Sequence, residues 1–258
     1  MEEKEYTFYE HLEELRRRII RVTLTILIAS IIFVTFGIKE YDLGFKLFVL
    51  YPDPTNSVSI QSIKFLERSL LPSNVELIQT KPGEAFFAQL YVSVLLSIIF
   101  SMPLIVREIT AFIAPALYTH EKRIASKIMI PTILLFISGA LFAYILVIPF
   151  MLNFLYEYGA FLGLLTLLNI VEFVTFILYF TISFGISFQL PIIMYTLTKA
   201  EIVEVQFWKN NFRYAVIIFI IFGAIITPDG SGITMWFIAL PMIILYLIGI
   251  LVTKNVIG

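Results

Sequence analysis

Residues 170–197 read IVEFVTFILYFTISFGISFQLPIIMYTL. This stretch of 28 residues contains a single charged side chain, that of Glu172. A helix rises about 1.5 Å per residue and the hydrocarbon core of a bilayer is about 30 Å thick, so about 20 apolar residues span a membrane. The segment is therefore predicted to be a transmembrane helix, and this prediction decides the fold class.

Five further apolar segments accompany it along the 258 residues of the chain. The six predicted spans are 19–36, 85–106, 128–150, 170–197, 214–227 and 233–252. The first is slightly short but can be extended by the helix before it, the fifth and sixth are expected to be short helices, and the fifth reaches only about 21 Å. The sequence predicts an all-α polytopic membrane protein with six transmembrane helices in a single domain over 1–258.

The composition excludes other broad classes. Hydrophobic residues make up 59% and charged residues 14% of the chain, and the mean hydropathy is +0.93. Soluble chains average about 45–50% hydrophobic and about 25% charged residues. Even a soluble domain of ~300 residues buries only about 75% of the surface that its unfolded chain exposes, so it could not bury this much apolar surface. An ordinary soluble protein and a disordered chain are both excluded. A net charge of −1 provides no basic field for nucleic acid.

The residue types also argue against an enzyme. The chain has no cysteine and two histidines, so neither a metal site nor a cofactor is predicted. Common catalytic signatures are absent from the sequence. The three aspartates, Asp42, Asp53 and Asp229, all lie outside the predicted spans, which excludes an aspartate-dependent intramembrane protease.

Lysines and arginines predict the orientation in the membrane, because cytoplasmic loops carry an excess of them. With the N-terminus inside, 13 of the 18 basic residues lie on the inner side, and the other five all lie in one long outer loop, 38–83. Both termini are therefore predicted to be cytoplasmic. Loops of this length usually contain structure, so we expect short helices lying on the outer rim.

Prolines occur within or beside several of the predicted spans, and prolines kink membrane helices. They are Pro103, Pro131, Pro149, Pro191 and Pro241. The residues 228–232, PDGSG, predict a turn between the fifth and sixth spans.

The N-terminal segment is amphipathic, because Leu12, Leu15 and Ile19 share one helical face. On another face, Glu14 lies four residues before Arg18. Such a pair stabilises a helix by a few tenths of a kcal/mol. Periodicity alone favours this structural role for Glu14 over a binding role.

The loop between the second and third spans offers a second carboxylate, Glu121. Its simplest role is to stabilise the helix N-terminus that follows, which is worth ~0.3–1 kcal/mol. Together, Glu14 and Glu121 would present two carboxylates on the cytoplasmic side. Two carboxylates suit two guanidiniums, because the arginine fork binds carboxylate bidentately.

Within the spans, Gln189 is the notable polar residue, two positions before Pro191. An amide at membrane depth should face protein or water. A hydrogen bond between helices, worth ~0.6 kcal/mol on average, and a functional role are equally good interpretations.

Three stretches resemble motifs of one family. They are HLEELRRR at 11–18, AFIAPALYTHE at 111–121 and SFQLP at 187–191. The first two are highly specific, and the likeness extends over nearly the whole chain. On these motifs the sequence resembles the TatC family, the multispanning subunit of the twin-arginine protein translocase.

The resemblance implies six helices in a concave, glove-like arrangement in the inner (cytoplasmic) membrane. It implies a receptor for signal peptides with two adjacent arginines, and export of folded proteins driven by the proton-motive force. Single-span TatA and TatB-type subunits would be partners, with self-association in the complex. Glu14 and Glu121 would bind the arginine pair, with Arg16 and Phe112 in the same region.

Two positions depart from the family pattern. The family has glutamate where Gln189 stands, which weakens the case for a charge-dependent intramembrane role. A second proline is missing before Asp229, the candidate residue of the outer turn. The alternative function is a small-solute secondary transporter, which predicts mid-membrane ionisable residues and repeats that are not evident. A structural scaffold is a third possibility, disfavoured by the two specific motifs.

Overall fold

The computed structural model describes residues 8–42, 46–72, 75–113, 122–161, 163, 167–227 and 232–254. Its helices are α1 (Phe8–Thr35), α2 (Val58–Leu70), α3 (Glu84–Ile113), α4 (Lys122–Phe142), α5 (Ile148–Phe161), α6 (Ile170–Ser187), α7 (Leu190–Lys199), α8 (Val205–Asn210), α9 (Phe212–Ile226) and α10 (Met235–Lys254). Its strands are β1 (Phe36–Asp42), β2 (Lys46–Pro52), β3 (Glu76–Ile78) and β4 (Leu167–Asn169).

The six predicted apolar segments lie almost entirely in helices. Five lie in stretches long and apolar enough to cross a membrane, namely Leu12–Thr35, Glu84–Ile109, Ile128–Glu157, Ile170–Lys199 and Met235–Lys254. The remaining one is the shorter apolar helix α9, with 15 residues. The predicted helical membrane fold is confirmed, and the fifth and sixth spans are the two shortest.

The chain divides into two compact units. The first comprises 1–63 and 89–129, and the second comprises 64–88 and 130–258. The helices α2, α3 and α4 each contribute residues to both units.

In the first unit, small and polar side chains hold α1 and α3 together. The hydroxyls of Ser30 and Ser93 are 2.7 Å apart, and both side chains are buried. Gln89 Nε2 donates to Val34 O at 3.2 Å and to Ser57 Oγ at 2.9 Å. Small residues let helices approach closely in a membrane, where apolar burial provides no driving force between helices.

The long loop 38–83 corrects one prediction. Its second part forms the expected short helix α2, but its first part is a β-hairpin rather than a helix. Strands β1 and β2 pair antiparallel from Phe36↔Pro52 to Asp42↔Lys46. Aromatic and β-branched residues favour strands over helices, and a three-residue connection lets two such runs pair directly.

The hairpin is not the only β-structure that the all-α prediction omitted. Strands β3 and β4 pair parallel over three residues, which places residues 76–78 beside the N-terminus of α6. There, Asn169 Oδ1 accepts a hydrogen bond from Val171 N at 2.8 Å and so caps α6.

In the second unit, the fourth span is broken as its proline suggests. Helix α6 ends at Ser187 and α7 begins at Leu190, with Pro191 in the first turn of α7. A proline early in a helix is tolerated because its missing N–H has no intrahelical acceptor there. The third span changes its winding likewise, since a π-helical turn at Ala143–Val147 precedes Pro149.

Candidate functional site

The candidate site is a group of charged side chains where the N-terminal half of α1 lies beside the C-terminal end of α3. We call Glu14, Arg18, Arg21, Arg107 and Glu108 the α1–α3 charge cluster. The α1 members lie three and four residues apart, so they share one helical face. That face brings two arginines to the end of α3, about 90 positions later in the chain.

Glu108 is the buried centre of the cluster, with its side chain only 3% exposed. Its Oε2 accepts from Arg18 Nη1 at 2.9 Å, and its Oε1 accepts from Arg21 Nη1 at 2.8 Å. Arg107 Nη2 approaches Oε1 at 3.3 Å. A buried carboxylate is tolerated only when it is paired and hydrogen-bonded, and three guanidiniums meet that requirement here.

Only one of the two carboxylate oxygens of Glu14 accepts hydrogen bonds from the described residues. Arg18 Nε donates to Glu14 Oε1 at 3.1 Å, and Arg18 Nη2 donates to the same oxygen. The other oxygen, Oε2, is buried and has no hydrogen-bond partner within the part of the chain that the structure describes. The predicted pair between Glu14 and Arg18 is therefore present, and it leaves one carboxylate oxygen with unused acceptor capacity.

The other sequence-predicted residues on these two helices lie nearby. Phe112 is half-buried in the last turn of α3, four positions after Glu108. Next to it, Ala111 O accepts a hydrogen bond from Arg18 Nη2 at 3.2 Å. Arg16 is exposed on α1 and contributes none of the cluster's hydrogen bonds. The roles of Arg16 and Phe112 stay predictions.

Two predicted site residues, Glu121 and Asp229, lie outside the described residues. Helix α4 begins at Lys122, so Glu121 directly precedes its first residue in the sequence. The expectation that Glu121 stands near the start of the third span stays a prediction. No contact is assigned to either residue.

Gln189 lies at the break between α6 and α7 and is 9% exposed. Its Nε2 donates to Gly185 O at 3.1 Å, four positions earlier, in the last turn of α6. The amide nitrogen thus bonds within the same span, and the choice between an interhelical hydrogen bond and a functional role for this side chain stays a prediction. The oxygen Oε1 is buried and unpaired among the residues described, and a role in transport stays a prediction.

Glu108 is the residue that sequence reasoning missed. The sequence shows it directly after the second predicted span, beside Arg107. One signal was available, because the arginines of α1 outnumber the acids on their own helical face and need an anion elsewhere. Among the described residues, no group of three or more His, Asp or Glu side chains is placed to hold a metal ion.

Comparison with known proteins places this geometry in context. The family model described as Sec-independent protein translocase protein (TatC) matches residues 10–241. The Sec-independent protein translocase protein TatC of Cenarchaeum symbiosum is 45% identical over 246 residues, which cover 95% of this chain and 93% of that protein. The protein of the same name from Aquifex aeolicus is 36% identical over 249 residues, which cover 95% of this chain and 93% of that protein. A crystal structure of the twin arginine translocase receptor TatC matches with a TM-score of 0.80 and 32% identity, covering 96% of this chain and 100% of that one.

Proposed function

The chain belongs to the TatC family of Sec-independent protein translocase proteins, and we propose that it is the subunit that receives twin-arginine signal peptides. In this role it exports folded proteins across an energised membrane, with the proton-motive force as the source of energy. Residues 1–258 act as one membrane domain.

One observation supports this proposal most directly: Glu14 has a buried carboxylate oxygen that no other described residue hydrogen-bonds. A carboxylate accepts about four hydrogen bonds, and Arg18 occupies only one of the two oxygens of Glu14. A guanidinium from a ligand supplies planar, charged N–H donors that suit such an oxygen. This unused acceptor supports the proposal that Glu14 receives one arginine of the signal.

Glu121 is proposed to receive the other arginine. Its motif at 111–121 precedes α4 in sequence and follows the α3 residues of the cluster. Arg16 and Phe112 are proposed to belong to the same recognition region.

Photocrosslinking to the purified protein tests this proposal. A twin-arginine peptide with a photoreactive residue beside the arginine pair should crosslink to residues 12–21 and 107–112. A twin-lysine peptide is the control, because lysine lacks the planar fork. Equal crosslinking by both peptides, or crosslinking confined to α9 and α10, would contradict the proposal.

The topology is a separate prediction. We propose that both termini are cytoplasmic and that loop 38–83 is outside, because 13 of 18 basic residues then lie inside. In this cysteine-free chain, Glu67→Cys and Lys254→Cys both replace exposed residues. An impermeant maleimide should label position 67 in intact cells, and position 254 only after permeabilisation. Labelling of both positions from one side would show that the topology is wrong.

The short helix α9 is proposed as the surface for a single-span partner subunit. Its 15 residues reach only about 23 Å, and tilting would shorten that reach further. Ile217 and Ile221 are both 54% exposed. Photocrosslinkers at these positions should capture a protein that mass spectrometry identifies as single-span. Ile244 of α10, 56% exposed, is the matched control, and capture at this position alone would refute the proposal.

A further inference from the structure

The side chain of Arg18 is shared between two carboxylates. Its Nε and Nη2 donate to Glu14 Oε1, while its Nη1 donates to Glu108 Oε2 at 2.9 Å. Arg18 is itself largely buried, at 19% exposed. An arginine already occupies part of the carboxylate that is proposed to receive an arginine from the ligand.

We propose that Glu108 is a positioning residue that controls how readily Glu14 accepts the ligand's arginine, because it competes with Glu14 for Arg18. This inference rests on the proposed function. Glu108 lies deeper than Glu14, at 3% against 23% exposed, and acts on the ligand only through Arg18.

The charges show the direction of the effect. The cluster contains three arginines and two glutamates, so it carries a net charge of +1. Neutralising Glu108 raises this to +2 and leaves Glu14 as the carboxylate partner of Arg18. Arg18 would then hold Glu14 more fully, and a ligand with two positive charges would meet both a stronger competitor and a more positive site.

A double-mutant cycle tests this competition. The measurement is the Kd of a twin-arginine peptide for the full chain in nanodiscs, for the parent, Glu108→Gln, Arg18→Gln and the double variant. We expect Glu108→Gln to weaken binding on the order of tenfold. Arg18→Gln should tighten binding roughly threefold or more, and the double variant should bind within about threefold of Arg18→Gln.

In this cycle, Arg18→Gln restores the peptide binding that Glu108→Gln weakens. This rescue distinguishes a positioning role from damage to the fold, because a second substitution in the same buried cluster would not repair a structural defect. Glu13→Gln is the matched control, since it removes an acid of the same helix whose side chain is 60% exposed and paired with Arg17. It should change the Kd less than about twofold.

Three results would overturn the inference. The first is a Kd that Glu108→Gln leaves unchanged. The second is a Glu108→Gln substitution that weakens peptide binding by the same factor in the parent and in Arg18→Gln. The third is an Arg18→Gln variant that binds the peptide no more tightly than the parent. If Glu108→Gln cannot be purified in folded form, the Kd of Arg18→Gln still tests the inference, because only competition for Glu14 predicts tighter binding. The proposed function fails separately, if Glu14→Gln binds like the parent; loss at Glu14 with no effect at Glu108 would refute this inference alone.

Discussion

Replacing Glu14 by glutamine should weaken the binding of a twin-arginine peptide by at least about tenfold. A hydrogen bond to a charged group contributes about 1.5–3 kcal/mol, which corresponds to a ratio of roughly 10 to 150 in Kd. Glutamine keeps the shape of the side chain but removes its charge. Its NH2 group also replaces one carboxylate oxygen, so that in either orientation of the amide a donor would face a donor, from the ligand or from Arg18.

Two comparisons make this result specific. A twin-lysine peptide should bind the parent more weakly and lose less on substitution, because lysine lacks the bidentate geometry. Glu13→Gln, on the exposed side of the same helix, should leave the Kd nearly unchanged. Glu121→Gln should resemble Glu14→Gln. If both glutamine variants bind like the parent, Glu14 serves only as the helical partner of Arg18.

Most of the fold was predictable because membrane spans are local features of a sequence. A run such as 170–197 satisfies its backbone hydrogen bonds within itself, so its length and hydropathy are sufficient evidence. The hairpin at 36–52 was harder to predict from the sequence, since each strand satisfies its backbone hydrogen bonds with the other strand. Apolar residues at 45–50 are compatible with an interfacial helix or a strand, and periodicity separates these poorly in short runs.

The candidate site was predictable only in its local part. The pair between Glu14 and Arg18 follows from their four-residue spacing. Glu108 lies 90 positions from Arg18, and no spacing rule connects residues on different helices. Its carboxylate becomes informative only once α1 and α3 lie side by side. Glu108 also changes the interpretation of Glu14, because a helical pair that involves a third charge is no longer an isolated structural contact.

The close approach of α4 and α6 should have a large effect on stability. At Gly139, an added Cβ would lie 2.5 Å from Phe184 O and 2.9 Å from both Phe184 C and Phe188 Cγ. Two of these three atoms belong to the backbone, which cannot rotate away as a side chain can. Gly139→Ala should therefore push α4 away from α6 just before the break at Gln189.

Such overpacking costs about 1–3 kcal/mol, which lowers the melting temperature of a chain of this size by roughly 2–12 °C. A thermal melt of the purified protein in detergent measures this shift. Ser138→Ala is the matched control, because Ser138 is an exposed neighbour whose hydroxyl donates to Leu134 O in its own helix. It should melt within about 1–2 °C of the parent. A Gly139→Ala variant as stable as this control would mean that α4 and α6 are not held this closely.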